Sequence, residues 1–243
     1  MSDPYVIVWD LDLTLGDFSG LSRPGPVPGP VTVRTRPGLA EALRTLGEAG
    51  FTHTLLTLAT PLYAEAVLRG TGLRQFFTRV EGLGQRFKGD AAGVGDTLGL
   101  SEDDRPHRML FVGDHPLFDA PEDRRVLFHL EPLALSRPAA ELTRLVLHLR
   151  EAGGGSLRRG FDRLAGDMPW WKKLWPRRGA SAGNLPLRRS LAGVGELLLL
   201  ACPDRCPVIG FANLPAPGGA PAEHSFVPDE ILAQVEAEQR KEA

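Results

Sequence analysis

Short apolar runs alternate with amphipathic stretches along the first 150 residues. Tyr5-Val6-Ile7-Val8-Trp9 is continuous, β-branched and aromatic, which predicts a strand buried on both faces, as in a parallel sheet. Val31 to Thr35 alternates like a short strand. Leu39, Ala42, Leu43, Leu46 and Ala49 recur at helical spacing between Pro37 and Gly50, and this predicts an amphipathic helix with proline in its first turn and glycine after its end. Phe51 to Ala59 is a second core strand, and Pro61 to Arg69 a helix capped by Thr60. A short strand over Phe76–Glu81 comes next, and Lys88-Gly89-Asp90 precedes a Gly-rich helical stretch to Leu100. His107–Val112 and Arg125–Leu130 read as two further strands, and Ala139–Glu151 as a helix closed by Gly153-Gly154-Gly155. Strands alternating with helices predict an α/β fold, a doubly wound parallel sheet spanning residues 1–150.

The pattern changes after that point. Residues 151–243 are expected to form a C-terminal appendage, mostly helical, with Ser225–Lys241 as a last exposed helix started near Pro228-Asp229. Its charge is split. Residues 157–190 carry nine Lys/Arg against Asp162 and Asp167, with Trp170, Trp171 and Trp175 among them; residues 191–243 carry three basic residues against eight acidic ones. Basic residues interleaved with aromatics suit a nucleic-acid strand. They also suit an anionic membrane surface or a hairpin whose indoles pack inward while Lys and Arg snorkel out. Upstream, prolines 24, 26, 28 and 30 make Asp17–Pro30 an extended, non-helical segment. It is a surface loop or a flap, and too short for a folded cap.

Composition narrows the class. The chain has 243 residues, 42% hydrophobic and 24% charged, with a net charge of −2, an ordinary globular balance. Cys202 and Cys206 are too few for a disulfide scaffold; half a zinc site or a redox pair is the alternative to two ordinary cysteines. The N-terminus lacks the pattern of a signal peptide, and the apolar run around Leu197–Cys202 is too short to span a bilayer. A cytoplasmic protein is expected.

Candidate chemistry gathers after the first strand. Asp10 and Asp12 follow Trp9 directly, with Thr14 and Gly16 beyond. Unpaired acids at the end of a buried strand are costly, so a bound divalent cation is the natural compensation. In open α/β sheets ligands sit just outside the carboxyl ends of the strands.

Asp10-Leu11-Asp12-Leu13-Thr14 resembles the first motif of the haloacid dehalogenase superfamily, Asp-x-Asp-x-Thr. Three more motifs of that superfamily match in order: Thr57 at the end of the second core strand (Thr60 the other choice), Lys88 before a later helix (Arg86 the fallback), and Gly113-Asp114 followed by Asp119. The resemblance spans residues 5 to about 130 and implies a Mg²⁺-dependent phosphatase. It makes Asp10 the nucleophile and Asp12 the general acid and base; superfamily members that cleave carbon–halogen bonds lack this second Asp. It makes Thr57 and Lys88 the phosphate-binding residues. It makes Asp10, Asp12 (through its carbonyl), Asp114 and Asp119 the metal ligands.

A closer resemblance is partial. Arg36-Pro37-Gly38-Leu39, and Thr57 with Tyr63-Ala64-Glu65-Ala66-Val67 beyond it, look like the capless phosphatases acting on the RNA polymerase C-terminal tail. Gly113-Asp114 departs from the paired Asp-Asp of that family. A bulky or macromolecular phosphorylated substrate, such as a phosphoprotein, is the expected partner. The alternatives are a nucleic-acid end phosphatase using residues 157–190, and a binding module that keeps the fold without turnover.

Overall fold

In the computed structural model, residues 5–21, 29–82, 99–114, 126–129, 139–166, 187–200, 208–211 and 220–242 are described. Strand β1 (Tyr5–Trp9) lies at the centre of the main sheet, and Val6, Ile7, Val8 and Trp9 are at most 1% exposed. Its two faces feed separate apolar layers. Ile7 and Trp9 join the larger one, with Leu43, Leu46, Val67 and Leu145; Val6 and Val8 pack with Leu56, Leu100, Met109 and Phe111 on the other. That two-sided burial is why the run carries no alternation.

From β1 the chain passes through β2 (Gly16–Asp17) and β3 (Val31–Thr35) into helix α1 (Leu39–Glu48). Strand β4 (Phe51–Leu56), helix α2 (Pro61–Gly70) and strand β5 (Phe77–Glu81) follow. Strand β6 (Met109–Gly113), preceded by a single helical turn at Arg105–Arg108, and β7 (Val126–His129) continue the series. Strands β4 and β6 flank β1, and β5 and β7 lie beyond them; all these pairings are parallel. Sequential strands thus run outward from β1 in both directions. The reversal places a topological switch point at β1, and ligands of open α/β sheets bind in the crevice at such points.

The residues after 150 contribute helices as expected, together with strands the sequence did not announce. Helix α3 (Ala139–Ala152) leads into α4 (Leu157–Ala165), whose Ser156 hydroxyl caps Arg159 N–H at 3.1 Å. Gly160 is needed where they meet, because a Cβ there would lie 1.9 Å from the Leu149 carbonyl oxygen. Strands β8 (Leu187–Leu191), β9 (Gly195–Leu200) and β10 (Val208–Phe211) then extend the core sheet to eight strands. β10 runs parallel to β7, and β9 and β8 return antiparallel. Arg188 and Arg189 lie on the outer strand β8, where charge discourages edge-to-edge pairing. A second sheet pairs β11 (Ala222–Phe226) with β3, and β3 with β2, all antiparallel. Helix α5 (Pro228–Glu242) closes the chain against α2, where Glu238 accepts both terminal guanidinium nitrogens of Arg69 at 2.7 and 3.1 Å. No helix among the described residues is long and apolar enough to cross a membrane.

One polar pair is built into the larger apolar layer. Trp9 Nε1 donates to His53 Nδ1 at 3.0 Å, and His53 Nε2 lies 2.9 Å from the Leu43 carbonyl oxygen. With Nδ1 accepting, Nε2 carries the proton, and the ring is satisfied as a neutral imidazole. Burial pushes the pKa of His53 down, with the Leu43 carbonyl opposing; burial also lowers that of His224, which shares a 3.0 Å hydrogen bond with Thr35.

The unfolded chain, with histidines near about 6.5, therefore binds more protons than the folded one just below that pH. The resulting stability is fully present above about pH 6.5 and is lost as pH falls toward the depressed folded values. Urea midpoints should drop between about pH 8 and about pH 5, and His53→Gln should flatten part of the slope. A midpoint that rises on acidification would contradict a buried neutral His53.

Candidate active site

Strand β1 and its neighbours deliver three of the expected residues to one end of the sheet, and Asp12 follows in the loop after β1. Trp9 is in register with Leu55 of β4 and with Val112 of β6. Asp10 stands one residue beyond that row, and Thr57 and Asp114 stand two residues beyond it on either side. Asp10 stays tied to the sheet, its N–H donating to the Val112 carbonyl at 2.9 Å, and its Oδ1 accepts from Leu11 N–H at 2.8 Å. It is 4% exposed. Thr57 is likewise buried: its N–H donates to the Glu81 carbonyl at 3.0 Å, and its hydroxyl oxygen accepts from Ala59 N–H at 3.1 Å. Asp114 is half-buried at the end of β6.

After Asp10 the chain folds into a tight loop instead of running on extended. Leu15 N–H donates to Leu11 O at 2.9 Å and Leu13 N–H to Gly16 O at 2.7 Å. Leu13 takes φ +60°, the one non-glycine residue with positive φ among those described. A left-handed leucine costs about 1–2 kcal/mol, and such strain collects at functional sites. Gly16 is required by close approach, since a Cβ there would come within 2.1 Å of Arg34 O. Thr14 is fully buried, and its hydroxyl has no hydrogen-bond partner among the described residues.

Arg36 braces this loop from below. It is 4% exposed, donates from Nε to Thr14 O at 2.5 Å and from Nη2 to Leu13 O at 3.0 Å, and its own N–H donates to Leu15 O at 3.0 Å. Asp12 is held from above. The Tyr63 hydroxyl, from the first turn of α2, donates to Asp12 Oδ1 at 3.0 Å. Thr60 caps that turn, its hydroxyl oxygen accepting from Tyr63 N–H at 3.3 Å. Thr60 is exposed and occupied with the helix start, so the buried Thr57 is the better placed of the two threonines considered for the phosphate. Among the described residues, Leu13, Leu58 and Leu62, each next in sequence to Asp12, Thr57 or Tyr63, are the large apolar side chains most open to solvent, at 37%, 41% and 38%.

Lys88, its alternative Arg86, and Asp119 lie outside the described residues, as do Cys202, Cys206 and the three tryptophans of the basic segment. Among the described residues, no three His, Cys, Asp or Glu side chains cluster as a metal site. The described part of the expected ligand set is Asp10, Asp12 and Asp114. Several described arginines of residues 157–190 are engaged within the chain. Arg158 pairs with Asp162 at 3.1 Å and Arg188 with Glu196 at 3.5 Å, while Arg163 and Arg189 donate to the Ala152 and Ala165 carbonyls.

Two residues with evident site roles, Arg36 and Tyr63, were legible only as parts of a family-like string. The usable signal for Tyr63 was Thr60-Pro61, a helix start that puts residue 63 in the first turn.

No family model matches the chain, and no curated protein matches it. Solved structures share parts of the fold. A haloacid dehalogenase-superfamily hydrolase from Ehrlichia chaffeensis has a TM-score of 0.47 and 13% identity, over 61% of this chain and 98% of its own. A haloacid dehalogenase-superfamily hydrolase from Geobacter sulfurreducens has a TM-score of 0.41 and 16% identity, over 53% and 90%. A haloacid dehalogenase-like hydrolase from Streptococcus pneumoniae has a TM-score of 0.40 and 16% identity, over 57% and 93%. These likenesses are distant, and nothing about the chemistry of this chain follows from them.

The Arg36 brace yields an expectation. Arg36→Met should destabilise the protein by roughly 1–3 kcal/mol, because the carbonyl of the buried Thr14 and the part-buried carbonyl of Leu13 lose a charged donor. Arg36→Lys should recover little of it, since an ammonium cannot span both carbonyls as the guanidinium does. Urea unfolding reads both, and a loss under about 0.5 kcal/mol for Arg36→Met, the scale of an ordinary surface change, would show that the brace is dispensable.

Proposed function

We propose that this chain is a Mg²⁺-dependent phosphomonoesterase of the haloacid dehalogenase type. The observation that carries this reading is the buried Asp10 carboxylate at the carboxyl end of the central strand, with Asp12 two residues on and Asp114 at the end of the neighbouring strand. The donors suit a hard cation. Asp10, Asp114 and the Asp12 carbonyl offer oxygen alone, which Mg²⁺ prefers over nitrogen or sulfur. The unmet Thr14 hydroxyl in the same loop is a further sign of a polar ligand.

Mg²⁺, when bound, supplies the positive charge that lets a carboxylate approach a phosphoryl group. The chain's own residues do the rest. Asp10 attacks phosphorus and the ester P–O bond breaks, leaving an acyl phosphate on Asp10. Asp12, protonated, gives its proton to the departing oxygen. Asp12, now ionised, takes a proton from water as that water attacks phosphorus; the Asp10–phosphorus bond breaks and inorganic phosphate leaves. Thr57 donates to the phosphoryl oxygens, and Lys88 balances their charge.

A bulky substrate, such as a phosphoprotein, is the favoured class. The exposed leucines beside Asp12, Thr57 and Tyr63 offer an apolar rim for the group that bears the phosphate. The nucleic-acid reading gains no support from the described arginines, since four of them already bind within the chain.

The test is phosphate release from an aryl phosphate with and without Mg²⁺. Release should require the metal and should fall more than about a thousandfold in Asp10→Asn, on the scale of removing a nucleophile. Asp12→Asn should slow both half-reactions. Phosphopeptides should then outcompete phosphate-ended oligonucleotides. Full activity in Asp10→Asn would refute covalent catalysis at this residue, and no turnover on any of these substrates would favour a binding module.

A further inference from the structure

We propose that the C-terminal segment Ala222–Glu242 is a clasp that positions the loop carrying Asp12, with Phe226 and Glu238 as its positioning residues. The structural half of this proposal stands on geometry alone. Its catalytic half rests on the phosphatase reading above.

The loop is closed by Gly16, whose carbonyl accepts Leu13 N–H at 2.7 Å. Gly16 pairs with Thr35 of β3, and Thr35 pairs on its other side with Ala222 of β11. One row of the small sheet thus runs from the C-terminal segment to the residue that closes the loop. Strand β2 brings two residues to this sheet, whereas β11 pairs along all five of β3. A two-stranded ribbon is marginal by itself in water, so the placement of β3, and of Arg36 just past its end, leans on β11. Side chains reinforce the seam. The Thr35 hydroxyl lies 3.0 Å from His224 Nε2, and Arg34 Nε donates to Glu223 at 3.0 Å.

The same segment then takes hold of α2, the helix whose Tyr63 reaches Asp12. The Phe226 ring lies on Gly70, the last residue of α2, where a Cβ would come within 2.4 Å of it. Glu238 accepts from both terminal nitrogens of Arg69, which also reaches Glu65 one turn earlier at 3.3 Å. The loop is therefore held between Arg36 and Tyr63, and the elements behind both are joined by one late stretch of chain. An exposed ion pair adds little to global stability, so loosening this one tests position more than folding.

Phe226→Ala and Glu238→Arg loosen the clasp by different physics: one removes packing, the other sets two guanidinium groups against each other. Amide hydrogen exchange followed by NMR reads the result without turnover. In each variant the Leu13, Leu15 and Arg36 amides should exchange at least about tenfold faster, while the β1 amides keep their parent rates. Val194→Ala, in the turn between β8 and β9, is the control and should leave the loop amides unchanged. On an aryl phosphate with Mg²⁺, both clasp variants should lower kcat about fivefold with KM within about twofold of the parent. Added salt should recover part of that loss in Glu238→Arg, where it screens like charges, and none in Phe226→Ala.

Loop amides at parent rates while those of β11 and α5 quicken would overturn the proposal and leave the phosphatase reading intact. Equal quickening of the loop and β1 would assign the segment to folding alone and would overturn it as well. Selective loop quickening in a protein whose parent shows no turnover would uphold the clasp, and its catalytic half would fall with the phosphatase reading.

Discussion

Everything at the candidate site depends on one constraint: a carboxylate stands at the end of a strand that has no exposed face. The side chains from Val6 to Trp9 are almost wholly out of water, and Asp10 follows them at 4% exposure. Buried charge without compensation is expensive. The fold places this cost at the switch point of the sheet, where β4 and β6 diverge and a ligand can approach. It then spends backbone groups to hold the site. Asp10 accepts Leu11 N–H, Arg36 takes the Leu13 and Thr14 carbonyls, and a left-handed Leu13 closes the loop. A buried arginine serving carbonyls and a strained leucine are poor choices for stability alone. Together they fit a loop shaped for a charged ligand.

Much of the parallel core was legible in the chain. Tyr5–Trp9 and Val31–Thr35 form strands with the expected bounds, and α1, α2 and α3 fall where helical spacing and caps put them. The central strand is fully apolar because both faces are covered, and that made it unambiguous. The strands β8, β9 and β10 were not foreseen. Leu197–Leu200 is leucine-rich, not β-branched, and a short apolar run of leucines does not distinguish strand from helix. Only its place beside β10, which pairs with β7, makes it a strand. The expected unit boundary near residue 150 and the sheet follow different logics: glycine punctuation ends α3, yet the later strands join the same sheet.

The site was legible to a different degree. Asp10 and Asp12 could be named because acids at the end of an apolar run are conspicuous, and Thr57 and Asp114 because they match, in order, later motifs of the family the first motif resembles. Their shared edge follows from register, since Trp9 pairs with both Leu55 and Val112. Tyr63 and Arg36 could not be assigned roles from one sequence. Each acts through a contact across the fold, Tyr63 on Asp12 from α2 and Arg36 on the loop from beyond β3. No periodicity encodes such contacts. Thr60 shows the same limit in reverse: a threonine near the site proves to cap the helix that carries Tyr63.

Catalysis as proposed requires that Asp10 become covalently phosphorylated. The most direct measurement is an acid quench during turnover of an aryl phosphate with Mg²⁺, followed by peptide mass spectrometry. The peptide containing Tyr5–Gly16 should gain the mass of one phosphoryl group, located by fragmentation on Asp10 and absent in Asp10→Asn. Turnover with that peptide unmodified throughout, or with the phosphoryl group on another residue, would contradict it.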